Sequence, residues 1–192
     1  MSNFERNLLL GRIGEHIVER ILVKAGLRVV PFGYERIASA VVDRVKTDRS
    51  ETGLRIRSTP DFLVVNEKNE SVLVQVKTTL DGGRYYTLSD NNYPEKSHWP
   101  QAVFFIVNLH PAHNCVYAVE RWGKKGSGER HVFVYYNEDH HNRGCCRLLE
   151  DYEGLGQKIP KENVDEVIMG HSRLISQLTK AMKDKTDKPV PT

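Results

Sequence analysis

Two short apolar segments, Asp61-Phe62-Leu63-Val64-Val65 and Ser71-Val72-Leu73-Val74-Gln75-Val76-Lys77-Thr78, are joined by the polar link Asn66-Glu67-Lys68-Asn69-Glu70. Segments of this length, rich in β-branched residues, read as strands, and so short a link pairs them as an antiparallel hairpin. A hairpin turning symmetrically about Lys68 sets Asp61 directly opposite Gln75. The period of two along a strand then puts Lys77 on the same face as Gln75, while Leu73, Val74 and Val76 serve the buried ladder. An acid, an amide and an ammonium thus gather on two otherwise apolar strands. A register slip of one residue would scatter them.

The remaining chain supplies a frame for this hairpin. From about Glu5 to Ala25 the apolar positions Leu10, Ile13, Ile17, Val18, Ile21 and Leu22 follow helical spacing, and Gly26 is placed to end the helix in a left-handed turn. Gly11 and Gly14 fall inside the apolar stripe, where small residues let a helix approach a sheet; Glu15 falls at its border and Glu19 on the solvent side. Leu27–Val30 reads as a strand stopped by Pro31, and further strands are expected at Ala102–Val107, Cys115–Val119 and His131–Tyr136. Residues 34–57 are compatible with a short helix or with a strand and loop. An amphipathic helix is expected from about Glu162 to Lys183. At 192 residues the chain can bury roughly 70% of its unfolded surface. The expectation is an α/β protein with a central mixed sheet flanked by helices. Its core spans residues 1–120, a β/α extension spans 121–183, and 184–192 form a flexible tail.

A carboxylate beside an amide oxygen is hard-oxygen chemistry, suited to Mg²⁺ or Mn²⁺. A lysine next to such an ion can orient a water or stabilise charge developing on a phosphate. Metal, carboxylate and lysine together point to phosphodiester hydrolysis; a surface ion pair between Asp61 and Lys77 is the plain structural alternative.

Thr59-Pro60-Asp61 followed by Gln75-Val76-Lys77 on the next strand resembles the PD-(D/E)XK nuclease signature. The helix Gly11-Arg12-Ile13-Gly14-Glu15-His16-Ile17-Val18 and the strand after it resemble the start of the archaeal Holliday-junction-resolvase-like branch, in which a helix glutamate joins the metal site. The resemblance covers roughly residues 8–107. It implies a restriction-endonuclease-like core that cuts DNA with one or two divalent metals. By the same resemblance, Glu15 and Asp61 are metal ligands, Gln75 or the Val76 carbonyl completes the sphere, and Lys77 is the catalytic lysine. Gln75 stands where the family usually carries an acid, so the site loses one negative charge and should hold a metal more weakly. That departure keeps a second reading open: a nucleic-acid-binding module of the same fold that has lost turnover.

Arg44, Lys46, Arg49, Arg55 and Arg57 crowd the segment before the site and read as phosphate contacts, with Ser50, Thr52 and Ser58 as added hydroxyl donors. A net charge of +3 permits a nucleic-acid partner without requiring one. A homodimer fits an enzyme that must cut two strands. The stretch Trp122-Gly123-Lys124-Lys125-Gly126 lacks the order of a phosphate-binding loop, which excludes that class of nucleotide triphosphatase. The histidines and cysteines between His110 and Cys146 lack the spacing of a standard zinc knuckle, leaving a zinc-stapled scaffold as a third, weaker reading. The apolar runs fall far short of the ~18 residues of a membrane span, and three cysteines, two adjacent, make a poor secreted framework. A soluble, cytoplasmic protein is expected.

Overall fold

In the computed structural model, residues 3–33, 47–80, 87–89, 98–110, 115–119, 131–133 and 146–186 are described. Helix α1 runs from Asn3–Lys24, and its side chains Ile13, Ile17, Val18, Ile21 and Leu22 are buried, as the helical spacing requires. Gly26 ends it at φ +85°, with Gly26 N–H donating to the Val23 carbonyl and Leu27 N–H to the Leu22 carbonyl, both at 3.0 Å. That pair of bonds is a Schellman cap, which needs a left-handed residue and so favours glycine. Glu19, expected in solvent, is partly buried.

The turn delivers the chain to β1 (Arg28–Pro31), which pairs antiparallel with β2 (Phe62–Val65). β2 in turn pairs with β3 (Ser71–Thr79), with Phe62 opposite Val74 and Val65 opposite Ser71. This is the register of a hairpin centred on Lys68. A parallel step then joins β3 to β5 (Val103–Asn108), and β5, β6 (Cys115–Val119) and β8 (Cys146–Leu148) continue antiparallel. The result is a six-stranded mixed sheet in the order β1-β2-β3-β5-β6-β8.

Between β3 and β5 the sequence reading placed no strand, yet β4 (Thr87–Ser89) pairs with β7 (His131–Phe133) in a separate two-stranded sheet. A strand as short as β4 depends on a distant partner, and nothing in its local pattern marks it. Of the expected strand His131–Tyr136, residues 134–136 lie outside the described residues. Helix α2 (Glu51–Arg57) resolves the segment that the sequence left open. Ser50 caps it, its side chain accepting from Gly53 N–H at 3.1 Å.

Helix α3 (Lys161–Thr186) extends three residues past the expected end, so 184–186 are helical and only 187–192 of the expected tail lie outside the described residues. α3 packs on α1. His16 and His171 meet edge to face at 5.4 Å, and Lys24 pairs with Glu166. The side chains of Val103, Phe105, Val107, Val116 and Ala118 join both helices in the principal core. Phe104, Ile106, Tyr117 and Val119 alternate with them and are also buried, on the opposite face. The α/β class with a mixed sheet is therefore as read from the sequence, while among the described residues both long helices lie on one side of it.

Candidate active site

β2 begins at Phe62, but β3 runs on to Thr79, so the sheet has an open step where Asp61 enters it. Pro31 is the last residue of β1 to pair, and past it the Phe32 and Gly33 amides both donate to the Asp61 carbonyl, at 2.8 and 3.3 Å. The backbone of Asp61 is thereby fixed from one side and its side chain from the other. Its Oδ2 accepts from Gln75 Nε2 and from Val76 N–H, each at 2.6 Å. In the hairpin register Val76 faces Pro60, and the Asp61 carboxylate takes up the Val76 amide there. Both bonds are short for N–H donors, as hydrogen bonds to carboxylate oxygens are.

Asp61 therefore stands beside Gln75, as the hairpin register requires. Gln75 is 6% exposed, and its Oε1 is buried without a hydrogen-bond partner. An amide that donates to a carboxylate while its oxygen is left bare carries a substantial desolvation cost unless something electropositive meets that oxygen.

One cleft of about 200 Å³ opens at this point. Its floor is Asp61, Phe62 and Gln75; one wall is the α1 face carrying Leu8, Gly11, Arg12 and Glu15; the other is Gly33, Arg57 and Thr59. A Cβ added at Gly14 would strike Thr78 Oγ1, so this glycine is where α1 comes down onto β3. Gly11 was expected to serve the same approach. A Cβ there would meet nothing within 4 Å, and the residue lines the cleft instead. Glu15 reaches the cleft from the border of the helix stripe. It is paired with Arg12 Nη1 at 3.3 Å, and the two side chains are 25% and 45% exposed.

Lys77 follows Gln75 by two residues on the same strand face, in register with Ile106, and is partly exposed. It is not among the residues lining the cleft. Val76 meets the site through its N–H on Asp61, and its carbonyl, which the resemblance assigned to a metal, lies 3.5 Å from Gln75 Nε2.

The basic segment divides. Arg57 lines the cleft, with its guanidinium also donating to the Asp48 carbonyl; Arg55 and Arg49 are exposed; Arg44 and Lys46 lie outside the described residues. Ser58, expected to offer its hydroxyl to phosphate, is buried and donates to the Arg55 carbonyl at 3.0 Å. Asp48 closes the start of α2, accepting from Ser50 N–H at 2.8 Å, and that bond holds its carboxyl below the usual carboxylate range. Sequence reasoning missed Arg12 and Thr59 as cleft residues. Arg12 was within reach, because it lies one helical turn from Glu15 and follows the cleft-lining Gly11.

Among the described residues no three His, Cys, Asp or Glu side chains come together as a metal site. In the region of the zinc reading, burial pushes the Cys115 thiol up to about 11, which favours the thiol over the thiolate that zinc takes. The cleft offers a different donor set, the carboxylates of Glu15 and Asp61 with the amide of Gln75 beside them. Those donors fit a hard divalent cation, and the unpartnered Gln75 Oε1 is the observation that tests the fit. No described helix is long and apolar enough to cross a membrane. Comparison with family models, with curated proteins and with solved structures finds no match to this chain.

Proposed function

We propose that the protein is a divalent-metal-dependent endonuclease that hydrolyses DNA phosphodiester bonds, working in the cytoplasm in recombination, repair or defence. The reading rests on one observation above the rest: Asp61, Glu15 and Gln75, whose amide oxygen is buried without a hydrogen-bond partner, line a single cleft with two arginines. When bound there, Mg²⁺ or Mn²⁺ would be held by Glu15, Asp61 and Gln75 and would supply Lewis acidity at the phosphate and an acidified water.

The chain's own residues do the rest. Asp61 is locked by two short hydrogen bonds, so it needs no reorganisation as charge develops. Arg12 and Arg57 bring positive charge to the cleft for the phosphate backbone. Lys77, next along the same face, supplies a cation at the transition state and can orient the attacking water. Gly11, with nothing within 4 Å of where a Cβ would stand, keeps the helix side of the cleft open.

A binding module without turnover is the second reading, favoured by the glutamine in place of an acid and by the Arg12 pairing of Glu15. A nicking assay on supercoiled plasmid and on a four-way junction, with Mg²⁺ and then Mn²⁺, separates the two. The nuclease reading requires cleavage by the wild type, lost by at least 100-fold in Asp61→Ala and in Lys77→Ala with folding intact. DNA binding without cleavage in either metal would establish the binding module. Cleavage that survives both substitutions would place the chemistry elsewhere.

A further inference from the structure

Beside the cleft stands an aromatic pair that the catalytic reading does not use. Phe32 and Trp99 meet edge to face, with ring centroids 6.3 Å apart and planes at 87°. Both side chains are partly exposed. An edge-to-face contact occupies at most one face of either ring, so each ring keeps a face that this pairing does not use.

The pair is tied to the site at both ends. Phe32 N–H donates to the Asp61 carbonyl at 2.8 Å, and the next residue, Gly33, lines the cleft. Trp99 Nε1 reaches the Arg55 carbonyl at 3.5 Å, on the helix whose Arg57 lines the cleft together with Gly33. A turn fixes the Trp99 backbone just before β5, with Ala102 N–H donating to the Trp99 carbonyl at 2.9 Å. The rings thus hold a set position relative to Asp61, next to arginines that suit phosphates.

We propose that Phe32 and Trp99 form a stacking platform for a nucleobase of an unpaired strand whose phosphate enters the cleft. The proposal rests on the nuclease reading for the identity of the ligand and adds to it a substrate class: DNA with unpaired or splayed bases at the cut. Aromatic rings bind bases by their faces whatever the sequence, and such stacking is available only where a base has left the duplex. Bases in a continuous duplex would gain nothing from the pair.

The test measures binding without metal, in EDTA, so that cleavage plays no part. Fluorescence anisotropy compares a twelve-nucleotide oligothymidylate with an abasic strand of the same length and charge. The wild type is expected to bind the thymidylate on the order of tenfold more tightly. Trp99→Ala should erase that preference and leave abasic binding unchanged, whereas Trp99→Phe should keep most of it. In a Trp122→Phe background, where Trp99 is the remaining tryptophan, the thymidylate should quench the emission and the abasic strand should not.

Equal affinity for the two strands, a preference that persists in Trp99→Ala, or no binding of either would overturn the platform. If Trp99→Ala fails to fold, the wild-type preference and the Trp99 quenching decide the matter alone. A protein that cuts plasmid but fails here keeps the nuclease reading and loses the platform. One that passes here but cuts nothing does the reverse.

Discussion

Asp61 holds the end of a strand as well as a candidate metal site, and substitution separates the two roles. Removing its side chain leaves the Val76 N–H and one Gln75 N–H buried without their acceptor. Asp61→Ala is therefore expected to cost about 1–3 kcal/mol in urea-induced unfolding. Asp61→Asn keeps an acceptor oxygen and should cost well under that, while losing activity as fully as the alanine variant. A stability loss as large in the asparagine variant would mean that the charge, not the acceptor, holds the strand. The opposition of Asp61 and Gln75 was legible in the sequence because the link about Lys68 permits one hairpin and the strand period does the rest. What no pattern carried was the second bond of Asp61, to a main-chain amide. Nor did it carry the bare Gln75 oxygen, because both depend on where the sheet stops.

On the scale of elements, α1 sets the width of the cleft, and its two glycines do opposite things. At Gly14 an added methyl would collide with Thr78 Oγ1 on β3, so Gly14→Ala should destabilise by about 1–3 kcal/mol. At Gly11 the same methyl meets open space, and the better helix propensity of alanine should stabilise by up to about 1 kcal/mol. Thermal unfolding of the two variants should move in opposite directions; movement the same way would mean that α1 does not seat on β3 through Gly14. The sequence grouped the two glycines on one stripe and assigned them one role. Their difference comes from what lies beneath them: Gly14 lies over Thr78 of β3, whereas Gly11 lines the open cleft. Helix α2 escaped the sequence for another reason. Seven residues with a single buried position, Gly53, carry almost no amphipathic signal, and the Ser50 cap is its clearest mark.

The whole molecule is a helix layer on a mixed sheet, with one parallel step at β3 and β5 and the cleft at the open end of the hairpin beside it. That arrangement brings α1, the end of β1, α2 and β3 to one place, although their cleft residues span positions 7–75 in sequence. The strands of the core other than β8 could be read locally, and they lie within a residue of their expected ends. β4 could not, because its three residues acquire their conformation from β7, more than forty positions away. Charge was legible only as a segment: of its described cations Arg49, Arg55 and Arg57, Arg57 lines the cleft, joined by Arg12 from a helix face.

The claim on which the functional reading turns is that Glu15 and Asp61 jointly hold a divalent ion. Calorimetric titration of Mn²⁺ into the DNA-free protein measures this without reference to turnover. A single site is expected in the wild type, weakened at least tenfold in both Glu15→Gln and Asp61→Asn and retained in Lys77→Ala. Absence of Mn²⁺ binding, or binding that neither carboxylate substitution weakens, would contradict it.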